Sequence, residues 1–160
     1  MAAHFGLDLS PSSIKIIEAT RSKQTFKLKA FGEAPTPANL ASDIERDKAL
    51  IAASIKKLAS DARVSSKNVV VALSEANVYS RVVELPVLTE SELDSAIKFE
   101  AEQYVPIPLE EVQIEHVVLK VPPKGSETAK MEILLVAAQK KAVDRLEEIV
   151  TLAVKRSVTS

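Results

Sequence analysis

Hydrophobic positions change period several times along this chain, and each change marks an element. HFGLDLS reads as a strand entering a turn at Ser10-Pro11-Ser12-Ser13, where proline fixes one dihedral and serines supply local hydrogen bonds. In SIKIIEATR, Ile14 and Ile16 point to one face while Lys15 and Ile17 point to the other, which predicts a strand covered on part of both faces. After Arg21-Ser22-Lys23-Gln24, TFKLKAFGEA alternates Phe26, Leu28 and Ala30 against Lys27 and Lys29, the pattern of a half-exposed strand. Short connections make the three an antiparallel meander. Beyond Pro35-Thr36-Pro37 and a polar stretch to Arg46 the period lengthens. Leu50, Ile51, Ile55, Leu58 and Ala62 form the apolar stripe of a helix predicted from about Asp47, with Lys56, Lys57 and Asp61 in water. The unbroken Val69-Val70-Val71 then fits a central strand buried on both faces.

The second half opens with a strand over residues 77–85, followed by LTESELDSAIKFEAEQYVPIPLEEV. Thr89 and Glu92 have the spacing of a capping box, so a helix starts at about Thr89. Val105-Pro106-Ile107-Pro108 ends it, because each proline lacks an amide and pushes its predecessor toward extended geometry. VQIEHVVLKV and KMEILLVAA read as a hairpin around Pro122-Pro123-Lys124-Gly125. A last helix over residues 140–154 stacks Val143, Leu146, Val150 and Ala153. The order is three strands, helix, strand, then strand, helix, strand, strand, then helix. This is a mixed α/β chain whose strand–helix–strand–strand block can form an inserted lobe.

One helix resists this scheme. Leu93, Ala96, Ile97 and Tyr104 share a stripe at 3.6 residues per turn, yet Glu100 falls inside that stripe and Phe99 outside it. Either Glu100 sits at the stripe's end or pairs with a lysine while Phe99 touches a second layer, or Phe99, Tyr104 and the turn at residues 105–108 belong to a peptide-binding surface.

Composition narrows the functions. The 160 residues are 46% hydrophobic and 27% charged, enough for a real core in one domain or two small lobes. A net charge of −1 with basic residues spread thinly gives no footprint for a nucleic-acid backbone. Cysteine is absent, which removes disulfides, thiolate ligands and a thiol nucleophile together. No apolar run approaches the ~20 residues of a membrane-spanning helix, and the N-terminus lacks a secretion signal, so neither spanning nor secretion is expected. His4 and His116 have no spaced partner for a metal. Glu110-Glu111 and Glu147-Glu148 are adjacent pairs, which do not face each other on a helix and read as solvated charge. No nucleophile elbow or Walker loop occurs.

One segment retains chemistry: Asp8, Ser10, Ser12, Ser13 and Lys15 in GLDLSPSSIK. A carboxylate at a strand end followed by a serine-rich hairpin and a lysine can surround a phosphate, with the carboxylate near hydrated Mg²⁺. The same residues are also what a tight hairpin needs for its own turn.

GLDLSPSSIKIIEA, VVVALSEANVYSRVVELP, LTESELDSAIKFEAEQYVPIPLEEV and ILLVAAQKKAVDRLEEIV, in that order, resemble the PilM family of type IV pilus assembly proteins, relatives of the division protein FtsA and of actin. The resemblance implies an actin-like ATPase lobe with an RNase H-like sheet, subdomain 1A, over residues 1–76 and 138–160. It implies an inserted strand–helix–strand–strand (SHS2) subdomain, 1C, over residues 77–137. It further implies a cytoplasmic adaptor, peripheral to the inner membrane through its partner. In the family that partner is the N-terminal cytoplasmic tail of PilN, held in a groove between the subdomains, with other pilus assembly platform proteins nearby. Phe99, Tyr104, Val105, Pro106 and Ile107 are the residues expected beside it. ATP and Mg in the family map onto Asp8, Ser10, Ser12, Ser13 and Lys15, but Ser10 stands where glycine is usual and Pro11 follows. Where family members continue into a second lobe this sequence reads TLAVKRSVTS, so tight ATP binding and hydrolysis are not expected. The face turned toward such a lobe is expected to be apolar and to favour self-association. Alternative readings are an ATP-binding actin-like ATPase fragment, a type II secretion component or an FtsA-like division protein.

Overall fold

The computed structural model describes residues 4–22, 25–122 and 130–154. Among them the elements run β1 (His4–Leu9), β2 (Ser13–Ser22), β3 (Thr25–Pro35), α1 (Glu45–Asp61), β4 (Asn68–Val71), β5 (Val78–Pro86), α2 (Glu90–Tyr104), β6 (Val112–Lys120), β7 (Lys130–Gln139) and α3 (Lys140–Val154). Short 3-10 turns lie at Glu75–Asn77 and Leu109–Glu111. This is the order the hydrophobic periods predict. The predicted turn at residues 122–125 lies outside the described residues from Pro123 onward.

The chain divides into two compact units, one containing residues up to Ser74 together with those from Asp144 onward, the other Glu75–Val143. In the first unit the sheet order is β3-β2-β1-β4; β1–β2 and β2–β3 are antiparallel and β1–β4 is parallel. A parallel neighbour needs a crossover, and α1 supplies it. Ile14 and Ile16 of β2, with Phe5 and Leu7 of β1, form a core with Ile51, Ile55 and Leu58 of α1 and Ile149, Val150 and Ala153 of α3. Ion pairs tie the helical layer together: Lys48 to Glu45 at 2.9 Å and to Glu148 at 2.5 Å, and Arg145 to Asp43 at 2.6 Å.

Several expectations for this unit are corrected. Ile17 is 54% exposed, so β2 is covered on one face only. Phe26 and Leu28 are 74% and 51% exposed, because the β2–β3 register shifts between Glu18 and Ala19 and Lys29 becomes the extra residue. That bulge places Leu28 opposite exposed Ala19, and Phe31 opposite exposed Ile17. Valines 69–71 form an end strand of this sheet with Val70 61% exposed, instead of a strand buried twice. Helix α1 starts at Glu45, and Leu50 of its predicted stripe faces out while Ala52 is buried.

The second unit has sheet order β5-β7-β6, all antiparallel. Central β7 buries Met131, Ile133, Leu135 and Ala137 on one face, and Leu93, Ile97 and Ala101 of α2 pack there with Val83 and Leu85 of β5. The spacing i, i+4, i+8 puts those three helix residues on one line. Tyr104, expected on this stripe, is 37% exposed; Ala101 occupies the buried position instead.

Candidate functional site

Each unit holds one of the predicted sites. In the first, Asp8 and Lys15 are cross-strand partners in the β1–β2 ladder, and Glu33 is opposite Lys15 on β3. All three are exposed on the face opposite the helices. Beside them Gly6, Ile17, Phe31 and Val70 surround an apolar concavity of ≈ 640 Å³. A Cβ on Gly6 would stand 3.2 Å from Ile17 Cγ2, so glycine here lets Ile17 lie close to β1.

The turn that joins β1 to β2 is closed on itself. The Ser10 amide donates to the Ser13 carbonyl at 2.9 Å, and the Ser13 amide donates to Ser10 Oγ at 3.1 Å. Ser10 Oγ also donates to the Ser13 carbonyl at 3.0 Å. Thr36 locks the outside: its hydroxyl donates to the Ser10 carbonyl at 2.7 Å and its amide to the Ser12 carbonyl at 3.2 Å. Pro11 has no amide to offer. A phosphate cradle needs several converging free N–H groups. Asp8, Ser10, Ser12, Ser13 and Lys15 are thus brought together, but in a turn whose Ser10 and Ser13 amides are already donated, beside two carboxylates. In this geometry they do not fit a triphosphate.

In the second unit the capping box at the start of α2 is formed. Glu92 Oε2 accepts from the Thr89 amide at 2.8 Å and from its hydroxyl at 2.7 Å, and Thr89 Oγ1 accepts from the Glu92 amide at 3.4 Å. The Thr89 backbone and hydroxyl donors hold the Glu92 carboxyl below its ordinary value. At the other end the Val105 amide donates to the Ala101 carbonyl at 2.8 Å, and Val105 is extended at φ −83° and ψ 120°. The expected partner-binding residues divide there. Phe99 is 62% exposed on the outer face of α2, Pro106 is exposed and Ile107 half-buried. Val105 is in the core at 7% exposure and holds the turn without being open to a partner. Tyr104 is anchored to β5: its hydroxyl donates to the Ser80 carbonyl at 3.1 Å, and the Arg81 guanidinium stands 5.4 Å from its ring centroid.

Sequence reasoning missed Glu18, which is 2% exposed in the core-facing row of β2. Its two oxygens accept the Ser65 amide and the Ser65 hydroxyl, each at 2.7 Å. The Ser65 hydroxyl, then its amide, and the nearby Lys29 charge hold this carboxyl below its ordinary value despite burial. The signal was present: Glu18 continues the alternation of Ile14 and Ile16. Among the described residues no cluster of His, Cys, Asp or Glu is arranged for a metal, and no helix is long and apolar enough to cross a membrane.

A family model described as type IV pilus assembly protein PilM matches residues 6–158. The chain belongs to the PilM family. A chain of a solved PilM–PilN type IV pilus biogenesis complex is similar over 95% of this one, with 30% identity and a TM-score of 0.81, and this chain covers 45% of it. The cytoplasmic domain of EpsL, an inner membrane component of the type II secretion system of Vibrio cholerae, is similar with 15% identity and a TM-score of 0.52. There 92% of this chain and 53% of that one are covered, and the likeness shows the fold alone. This PilM-family chain therefore spans about half the length of those solved chains. Its fold is the mixed α/β, actin-like one, with a strand–helix–strand–strand block following the first four strands.

Proposed function

We propose that this chain is an adaptor of type IV pilus assembly that captures the N-terminal cytoplasmic tail of a PilN-like inner-membrane protein, and that it reaches the membrane through that partner. The observation that carries the reading is Phe99. An aromatic ring 62% exposed, in a helix that buries Leu93 and Ile97 and ties Tyr104 to β5, is surface kept apolar against the local rule. Pro106 and Ile107, at the end of the same helix, add apolar surface with few backbone donors. Apolar pockets of this kind give an extended peptide its specificity. The likeness to a chain of a PilM–PilN complex supports PilN as the class of partner. Contacts with other platform proteins belong to the same proposal.

Titration calorimetry with a PilN tail peptide tests it. Phe99→Ala is expected to weaken binding on the order of tenfold or more, as truncating a buried aromatic anchor does. Tyr104→Ala is expected to weaken it less and indirectly, by releasing α2 from β5. Unchanged affinity in both removes this surface from the site.

A further inference from the structure

We propose that the open face of the four-stranded sheet docks on the same face of a second copy of this chain. Ile17, Phe31 and Val70 are 54%, 71% and 61% exposed there, a contiguous apolar row where single exposed residues are the norm. The ladder registers put them in one line across the sheet: Phe31 opposite Ile17, Ile17 opposite Gly6, Gly6 opposite Val70. One step toward the turn lies a charged line, Glu33 opposite Lys15 and Lys15 opposite Asp8.

These two lines complement themselves. Place a two-fold axis parallel to the strands, midway between β1 and β2, with the sheets face to face at about 10 Å. Strand order reverses across such an interface, so β2 of each copy lies over β1 of the other. Ile17 of each copy then meets Gly6 of the other, a large side chain over the floor of the ≈ 640 Å³ concavity. Phe31 of each meets Val70 of the other. Asp8 of each meets Lys15 of the other, so two opposite-charge pairs lie side by side along the turn side of the apolar row. This is the self-complementary contact a two-fold interface requires. Turning the second copy end for end about the same apolar row instead sets Lys15 against the Ala19 and Leu28 step of the ladder, which offers it no opposite charge. The charges therefore select the first arrangement. Every residue involved belongs to the first unit, and the inference does not rest on the PilN reading.

Sedimentation velocity of the 160-residue chain over a wide concentration range, with circular dichroism to verify folding, decides the matter. The wild type is expected to dimerise reversibly. Ile17→Lys, at a position exposed in the single chain, is expected to weaken the dimer on the order of 30-fold or more. Asp8→Lys and Lys15→Asp are each expected to weaken it, and the double exchange to restore it. A monomer at every concentration overturns the proposal and leaves the face to another occupant. So does a dimer indifferent to Ile17→Lys, or a double exchange no better than its singles.

Discussion

Two turns, one in each unit, contain proline and were the candidate sites, yet they use their backbones in opposite ways. The β1–β2 turn is rich in hydroxyls and amides, and it spends them internally: Ser10 and Ser13 satisfy each other, and Thr36 takes the carbonyls of Ser10 and Ser12. The turn after α2 has two prolines and little to donate; Val105 is pinned to Ala101, and Pro106 and Ile107 are left toward the surface. A binding site is made of groups with capacity to spare. Polar residues already paired within a turn recognise nothing, whereas an apolar turn that cannot satisfy itself offers surface to another chain.

The sharpest break of that comparison lies along α2 itself. Ile97 and Phe99 are two positions apart, one 2% and the other 62% exposed. Ile97→Ala is expected to cost about 2–5 kcal/mol in denaturant unfolding, through lost transfer energy and a cavity. Phe99→Ala is expected to stay within about 0.5 kcal/mol of wild type while losing the PilN tail. Equal destabilisation by the two would return Phe99 to an ordinary packing role.

Next in size is the buried carboxylate of the first unit, which extends the rule of internal satisfaction into the core. Glu18→Gln is expected to cost on the order of 1–2 kcal/mol at neutral pH, since a charged acceptor of the Ser65 amide and hydroxyl becomes a neutral one. The pH dependence carries a sign. The folded carboxyl titrates below its ordinary 4.5, so its contribution is complete above that value and is lost as pH falls through the lowered one. Stability against pH measured for Glu18→Gln should therefore lose part of its acid slope. An unaltered slope would mean that Ser65 does not discriminate between the two protonation states.

Thr89→Ala follows, at about 1 kcal/mol, because it leaves the amide of Glu92 without its cap. This motif was legible because it is local: donor, acceptor and period all lie within one helical turn. The order of all ten elements was legible for the same reason. What could not be read depends on partners distant in sequence. Lys29 looks like one more alternating lysine, yet as the extra residue of a bulge it shifts Leu28 and Phe26 to the open face. Valines 69–71 read as doubly buried because the sequence does not say whether a second layer covers the strand. Ser65 finds Glu18 from 47 residues away, and no spacing rule reaches so far. At the sites, Tyr104 was placed on the right helix but not in its contact with Ser80 and Arg81, which only the pairing of β5 brings near.

The smallest expected effect is none, and it bears directly on the closed turn. A ligand that binds only the folded state raises apparent stability by RT ln(1 + [L]/Kd). Mg·ATP in the millimolar range is therefore expected to leave the thermal midpoint of this chain where it was. The amides of Ser10 and Ser13 are already donated, and Asp8 and Glu33 would repel the phosphates beside Lys15. Ser10→Gly tests the cause. It removes the hydroxyl that occupies the Ser13 amide and restores the backbone freedom of glycine beside Pro11. Any gain in nucleotide stabilisation should appear in that variant before the wild type. If the wild type responds and Ser10→Gly responds no more, the turn opens at little cost, and the contrast between a spent turn and an available one fails where it was drawn.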